Sequence, residues 1–173
     1  MRRSRPLRAR AVPGPGAALC LALAVLASPA SAGAEVSGPV LHVSLAGGGE
    51  LGLDPGEKGG VFEIAAAGGW ELGKWGLRPE VEIALGLAPD SNVALRPGLS
   101  WAAPGAPLRL RIALDAANAR NRDFGWRWLL LGAAVEVRLT GRLGFDAGID
   151  LGGPLTGQAG LPVLFRLGTS LRF

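Results

Sequence analysis

The residues able to do acid–base or nucleophilic chemistry are few in this sequence. His42 is the only histidine, Ser44 follows it by two residues, and Ser100 lies in a separate segment. Glu80 and Glu82 form a carboxylate pair of the kind that a hydrolase uses. Catalysis requires a nucleophile, a base and an orienting group together, and the sequence does not place such a set together. We therefore predict no catalytic residues and interpret the two glutamates as structural partners of arginines.

Metal and phosphate chemistry is not indicated either. One histidine and one cysteine, Cys20, do not make a transition-metal site. We interpret Asp54 and Glu57 as solvated acids of a connection rather than as calcium ligands. The glycines at 47–49 and 59–60 are not followed by the Gly-Lys-Ser/Thr of a phosphate-binding loop. The sequence thus predicts no metal site and no cofactor.

The N-terminal segment has the three parts of a secretory signal peptide. Five arginines between residues 2 and 10 precede an apolar run, 17–27, and small residues follow it. That run is about half of the ~20 residues that a membrane-spanning helix needs, which favours a cleaved leader over an anchor. We place cleavage after Ala32, with Ala34 as the alternative. The predicted parts are a leader at 1–32, a short segment at 33–39 and a folded domain at 40–173.

Removal of the leader reverses the argument from charge. The whole chain has a formal net charge of +4, which would suggest a nucleic-acid partner. The leader holds five arginines and no acid, so the exported chain keeps 13 basic and 14 acidic residues. We therefore exclude nucleic acid as a partner. The exported chain has no cysteine, so it must be stabilised without disulfides.

From residue 40 onward, apolar and polar residues alternate with a period of two, which is typical of β-strands. Eight segments show this pattern, separated by Gly, Pro, Asn and Asp. The predicted strands are 40–46, 61–72, 77–87, 93–101, 108–116, 128–139, 143–151 and 161–173. Long predicted connections (46–60, 117–125, 152–160 and the shorter 89–92) alternate with short ones (73–76, 102–107, 140–142). This alternation indicates an antiparallel up-and-down arrangement.

The polar strand faces carry eight acids and seven arginines, whereas the two lysines of the exported chain, Lys58 and Lys74, lie in connections. Arginine–carboxylate pairs among small residues suit a closed interior filled by ion pairs. The leucine-rich faces would then point outward into hydrocarbon, which only a closed barrel tolerates. The predicted interior network is Glu63, Glu71, Arg78, Glu80, Glu82, Arg96, Arg109, Arg111, Asp115, Glu136, Arg138, Asp146, Asp150, Arg166 and Arg172.

The five tryptophans lie near strand ends rather than at strand centres. Aromatic side chains favour the two interfaces of a membrane, so this distribution predicts two girdles. The predicted interface aromatics are Trp70, Trp75 and Trp101 beside short connections, and Trp126 and Trp128 beside a long one.

With its leader, eight alternating segments, alternating connection lengths and final aromatic residue, the chain resembles the small bacterial outer-membrane β-barrel proteins of the eight-stranded kind. The resemblance covers 40–173 and indicates no subfamily. It implies an all-β, antiparallel transmembrane barrel in the outer membrane, with both termini and the short turns in the periplasm. It also implies that Phe173, with Phe165, Leu167 and Leu171 before it, is the signal read by the outer-membrane assembly machinery.

The resemblance implies a structural role, or binding through the connections 46–60, 117–125 and 152–160, with outer-membrane lipid as a partner. An eight-stranded interior holds side chains or one small ligand, so we expect no general porin activity. Two alternatives stay open. A soluble periplasmic barrel that binds an apolar ligand would turn its apolar faces inward, and a lipid-modifying outer-membrane enzyme would depend on His42 or Ser100. The oligomeric state is not predicted.

Overall fold

The described strands form one closed, all-antiparallel barrel. The computed structural model describes residues 37–51, 59–88, 91–118, 124–156 and 160–173, so the predicted leader lies outside the described residues. Each strand pairs with its sequence neighbours, and the last returns to the first. The strands are β1 Gly38–Leu51, β2 Gly60–Glu71, β3 Leu77–Ala88, β4 Asn92–Ala102, β5 Leu108–Asn118, β6 Phe124–Arg138, β7 Leu143–Pro154 and β8 Leu161–Arg172. The predicted eight-stranded barrel is confirmed.

The barrel closes between β1 and β8. Their register runs from Val40 opposite Arg172 to Leu51 opposite Leu161, so the seam is paired along almost the whole of both strands. Closure removes the unpaired sheet edges that would otherwise expose backbone donors and acceptors. The final residue joins this seam, because the Phe173 amide donates to the Pro39 carbonyl at 3.1 Å.

Several strands are longer than the alternation predicts, mainly at the end of the barrel with the longer connections. β1 continues through the glycines at 47–49 to Leu51, although the sequence predicts a connection from residue 46. β5 extends to Asn118, β6 begins at Phe124 and β7 extends to Pro154. Glycine-rich sequence weakens strand propensity, but pairing with β2 and β8 keeps 47–49 extended.

The three short turns lie at the opposite end, which we call the turn end. The first contains a 3₁₀ helix, Gly73–Trp75, and ends at Gly76 with φ 63°. The second contains Gly105 with φ 73°, and both values favour glycine because it lacks a Cβ. The Gly76 carbonyl accepts a hydrogen bond of 2.8 Å from the Ala102 amide, which ties the first turn to the second.

A bulge in β6 changes which side chains face inward near the longer connections. Asp115 of β5 lies opposite Trp128, but the next residue, Ala116, lies opposite Trp126. Arg127 is therefore an extra residue in β6, the defining feature of a β-bulge. As a result, Trp126 is exposed, whereas Trp128 is fully buried.

Candidate functional site

The outer surface of the barrel is an apolar belt. Every strand contributes large hydrophobic side chains that are exposed, and Phe165 and Leu167 are 64% and 61% exposed. On β3, exposed Val81, Ile83 and Leu85 alternate with buried charged or small residues. Monomeric soluble proteins do not expose contiguous apolar surface of this extent. The belt therefore requires an apolar environment around the protein.

The inner surface is charged. Arginine and carboxylate side chains that would be exposed on a soluble protein are almost completely buried here, and they form ion pairs between strands. Because a buried charge is costly unless it is paired, their burial requires this mutual neutralisation. The buried charged residues comprise Glu63, Glu71, Arg78, Glu80, Glu82, Arg96, Arg109, Arg111, Asp115, Asp150 and Arg172, with Glu136, Asp146 and Arg166 slightly more exposed.

Arg96 is the centre of the most deeply buried group, which we call the Arg96 cluster: Arg96, Glu63, Glu82 and Asp115. Its guanidinium contacts both oxygens of Glu63, with Nη2 at 2.7 Å from Oε2. It also lies 3.0 Å from Glu82 and donates to Asp115 at 2.5 Å. Three strands besides its own are thus joined through one arginine side chain. The fork of donors in arginine suits this arrangement, which lysine cannot reproduce.

Arg111 and Arg166 continue the network across the interior. Arg111 lies 3.0 Å from both Glu80 and Glu82, and 3.3 Å from Asp150. Arg166 of β8 reaches the same acids, Glu82 at 3.1 Å and Asp150 at 3.2 Å. Glu82 is therefore shared by three arginines from three different strands, and the network spans the lumen from wall to wall.

A separate group lies towards the turn end, and we call it the Arg109 cluster: Arg109, Glu71, Glu136 and Arg172. Arg109 donates to both oxygens of Glu71 at 3.0–3.1 Å and to Glu136 at 2.7 Å. Arg172 also pairs with Glu136. Near this cluster, Arg78 donates to Glu80 at 2.8 Å.

The lumen contains a small cavity of about 30 Å³ in its turn-end half, enough for about one or two water molecules. Arg109, Arg111 and Ser170 are among the residues that line it. His42 and Asp146 lie at its wall, with Nε2 and Oδ2 2.8 Å apart. These two residues reach across β8 at Gly168, where a Cβ atom would lie 2.9 Å from the Asp146 carboxylate and even closer to His42.

The residues considered for catalysis do not form a catalytic arrangement. Among the described side chains, no serine hydroxyl bonds to His42, whose partner is Asp146. Ser44 is buried, and its hydroxyl has no hydrogen-bond partner among the described residues. Ser100 donates to Glu80 at 3.3 Å and accepts from Arg109 at 3.1 Å. All three candidates are buried, so the outer surface presents none of them to lipid. Within the described ranges, no group of three or more candidate metal ligands is found.

The prediction of Trp128 as an interface aromatic is wrong. Its side chain is 0% exposed and its indole N–H donates to the Gly160 carbonyl at 3.0 Å. It packs with Leu130 and Ala113. The Arg127 guanidinium lies 3.5 Å from the centre of its ring and pairs with Asp115 at 2.9 Å. Trp128 therefore fills the lumen near the longer connections. The other four tryptophans, Trp70, Trp75, Trp101 and Trp126, are exposed near strand ends.

Arg138 also departs from the sequence analysis. It has the inward parity of β6, but it is the last residue of the strand, and its side chain is exposed at the turn end. It forms no ion pair within the described part of the chain. Arg127, which the sequence analysis did not assign to the interior network, has instead joined it through the bulge. The sequence signal for the inward position of Arg127 is weak: an arginine followed by a tryptophan at the start of a strand.

The terminal strand places its side chains on alternate faces. Phe165, Leu167, Leu171 and Phe173 are exposed on the apolar belt, whereas Arg172 is buried. Thr169, which falls among the apolar residues by parity, donates its hydroxyl to the Gly144 carbonyl at 3.0 Å. This bond from the side chain to a backbone carbonyl satisfies the Thr169 hydroxyl, so the belt stays continuous across this strand.

No helix within the described residues is long and apolar enough to cross a bilayer.

Comparison with known proteins identifies the fold. No family model and no curated protein sequence matches the chain. Among solved structures, the N-terminal β-barrel domain of Pseudomonas aeruginosa OprF superposes with a TM-score of 0.53 at 13% identity, covering 80% of this chain and 100% of that domain. Neisserial surface protein A gives 0.49 at 14% identity, with 78% and 96% covered. A designed transmembrane β-barrel gives 0.49 at 13% identity, with 80% and 99% covered.

The similarity to the OprF domain, at low identity, shows that the fold is shared. The resemblance to eight-stranded outer-membrane barrels that the sequence indicates is thus confirmed at the level of fold, and the subfamily stays open.

Proposed function

We propose that this chain is an integral outer-membrane β-barrel protein whose role is structural or depends on binding through its longer connections. One observation carries the proposal: the barrel is apolar outside and charged inside. Such a wall buries its charges in mutual ion pairs and leaves its hydrophobic side chains for lipid, which is the arrangement of membrane barrels. Outer-membrane lipid is therefore the primary partner.

The alternative of a soluble barrel for an apolar ligand disagrees with the structure. That alternative requires Leu, Ile and Val to face inward, but Leu41, Val43 and Leu45 are each more than 40% exposed. The interior instead holds Glu82 and Arg96, which are 1% and 0% exposed. An apolar ligand would have to break ion pairs to enter. We drop this alternative.

We propose that the protein is neither a general porin nor an enzyme. Arg96, Arg111 and Arg166 connect opposite walls through shared carboxylates, which supports a lumen blocked to solutes of ordinary size. The lipid-modifying alternative would need a reactive group on the outer face, whereas His42 and Ser100 are buried and engaged in the lumen.

The proposed topology places the turn end in the periplasm. The predicted leader, 1–32, would be removed on export, and 33–39 would lead into the barrel domain at 40–173. The longer connections would then face outward, where 46–60, 117–125 and 152–160 are the proposed binding segments. Of these segments, the described parts are strand ends and the residues next to them, and the rest lies outside the described residues.

Fractionation of the cell envelope tests the proposed location. We expect the protein in the outer-membrane fraction, resistant to extraction without detergent, and migrating differently on a gel before and after boiling. Heat-dependent migration arises because the closed barrel persists in detergent until it is heated. Recovery of the protein from the soluble periplasmic fraction would refute the proposal.

We further propose that the exposed residues Phe165, Leu167, Leu171 and Phe173 are read by the assembly machinery. Deletion of Phe173 should reduce the amount of protein assembled in cells much more than it reduces the stability of barrels refolded in vitro. The matched control is Leu161→Ala, at the opposite end of the same exposed face. Assembly of the deletion variant at the level of the control would contradict this role.

A further inference from the structure

The turn end has an unbalanced surface charge that the proposed function does not explain. Lys74 lies in the first short turn, Arg142 in the third, and Arg138 at the end of β6, and all three side chains are exposed. None of them forms an ion pair within the described ranges. No acidic side chain is exposed at this end in the same ranges, since Glu71, Glu136 and Asp146 are turned into the lumen.

The opposite end of the barrel has a different composition. The sequence of the four longer connections, 52–59, 89–91, 119–123 and 155–160, contains four acids and three bases. The basic excess therefore belongs to the turn end rather than to the whole exported chain, which has more acids than bases.

Exposed aromatic residues accompany the cations. Trp70 at the end of β2 is 52% exposed, Trp75 in the turn between β2 and β3 is 58% exposed, and Trp101 at the end of β4 is 38% exposed. The Lys74 ammonium lies 4.9 Å from the centre of the Trp75 ring, within the range of a cation–π contact. Tryptophan at the level of the headgroups, with a cation beside it, is the arrangement that anchors proteins at a membrane interface.

The turns themselves are tied into a continuous rim. Backbone hydrogen bonds link the first turn to Ala102, Pro107 of the second turn to Glu136, and Arg142 of the third turn to Arg172. The three cations are thus carried on a fixed scaffold around the edge of the apolar belt. Fixed positive charges at that level, on two opposite sides of the barrel, are complementary to the phosphates of a lipid layer.

We propose that Lys74, Arg138 and Arg142 form a docking surface for anionic phospholipid headgroups at the turn end of the barrel. This inference rests on the proposed insertion in a membrane. The contacts join each cation to headgroup phosphates of the adjoining leaflet, with Trp70, Trp75 and Trp101 at the same depth. A basic residue near an anionic surface gains roughly 1 kcal/mol, or ~5-fold in an equilibrium constant.

The experiment compares folding into vesicles of phosphatidylcholine alone with folding into vesicles that also contain phosphatidylglycerol. Full-length exported protein, purified from membranes, is unfolded in urea and refolded, and the folded fraction is read from heat-dependent gel migration. The variant is K74Q/R138Q/R142Q. The matched control is K58Q/R120Q/R122Q, which removes the same charge from the longer connections.

Adding phosphatidylglycerol should raise the folding equilibrium constant of both proteins. At low salt, the increase for the wild type should exceed that for the turn-end variant by on the order of a hundredfold. The control variant should keep most of that gain, and high salt should remove it from all three proteins. Equal loss in the two variants, or no gain in the wild type, would overturn the inference. Failure of every protein to form the heat-dependent band in either lipid would instead overturn the proposed function, and this inference with it.

Discussion

Arg96 and Arg109 lie on adjacent strands and both point into the lumen, but their surroundings differ. Arg96 is completely buried among three carboxylates, in the half of the lumen that Trp128 also fills. Arg109 lies in the other half, where its side chain lines the cavity. Side chains such as Trp128 and Arg96 thus fill one half of the interior, and the other half contains a small cavity that can hold water. Arginine–carboxylate ion pairs therefore lie in two different environments within one barrel, one dry and one next to a cavity.

This difference decides what a lost partner costs. An ion left unpaired in a dry site costs more than one that water can reach. In the packed half, Glu63 has Arg96 as its ion-pair partner among the described residues. In the other half, Glu71 depends in the same way on Arg109. Removing the arginine partner of each glutamate therefore compares the cost of an unpaired carboxylate in the two halves.

The largest effect is expected for Arg96→Met. The substitution leaves Glu63 buried without a cation, whereas Glu82 keeps Arg111 and Arg166, and Asp115 keeps Arg127. We expect the free energy of unfolding to fall by about 3–5 kcal/mol, measured by urea titration of barrels in vesicles with gel migration as the readout.

The double variant Arg96→Met with Glu63→Leu is the control for this prediction. Removing the stranded carboxylate should recover much of the loss, because an apolar pair costs less than one unpaired ion. A double variant no more stable than Arg96→Met would show that the lost packing, rather than the unpaired Glu63, determines the cost.

The second effect is expected for Trp128→Ala, which would open a cavity in the packed half. Loss of the buried ring and its bond to Gly160 should lower the free energy of unfolding by about 3 kcal/mol in the same titration. Trp128→Phe, which keeps an aromatic ring but removes the indole donor, should cost about 1 kcal/mol. Equal costs for the two substitutions would mean that the hydrogen bond, and not the filled volume, is what matters at this position.

The smallest effect is expected for Arg109→Met, although Arg109 also pairs with two carboxylates. The space it vacates joins the existing cavity, so water can reach Glu71, and Glu136 keeps Arg172. We expect a loss of about 1–2 kcal/mol in the same titration. A loss equal to that of Arg96→Met would remove the distinction between the two halves of the lumen.

Alternation in the sequence was sufficient to predict the strands and the face on which most charged residues lie. It works for β3 and β7 because every second residue meets either lipid or the lumen, so each face has a uniform composition. The strand ends were less predictable. Residues 47–49 are glycines with weak intrinsic preference, and their extended form depends on pairing with β2 and β8 rather than on local sequence.

The errors in the interior network have two physical causes. Trp128 shares the inward parity of Leu130, but its position beside a connection suggests an interface aromatic; the bulge at Arg127, which depends on pairing with β5, instead turns Trp126 outward. Parity predicts that Arg138 faces inward, but a side chain at the last position of a strand reaches the rim. Neither the bulge nor the depth of a residue in the barrel is encoded in a period of two.

The contact between His42 and Asp146 joins two strands that are not neighbours. His42 belongs to β1 and Asp146 to β7, and β8 passes between them at Gly168, the one position of that strand where both side chains need the missing Cβ. The two side chains contact each other across β8, so the contact can form only when β8 has paired with both β1 and β7. Because the chain has a single imidazole, its ring resonances in a nuclear magnetic resonance spectrum are a built-in reporter of whether the circle of strands is complete.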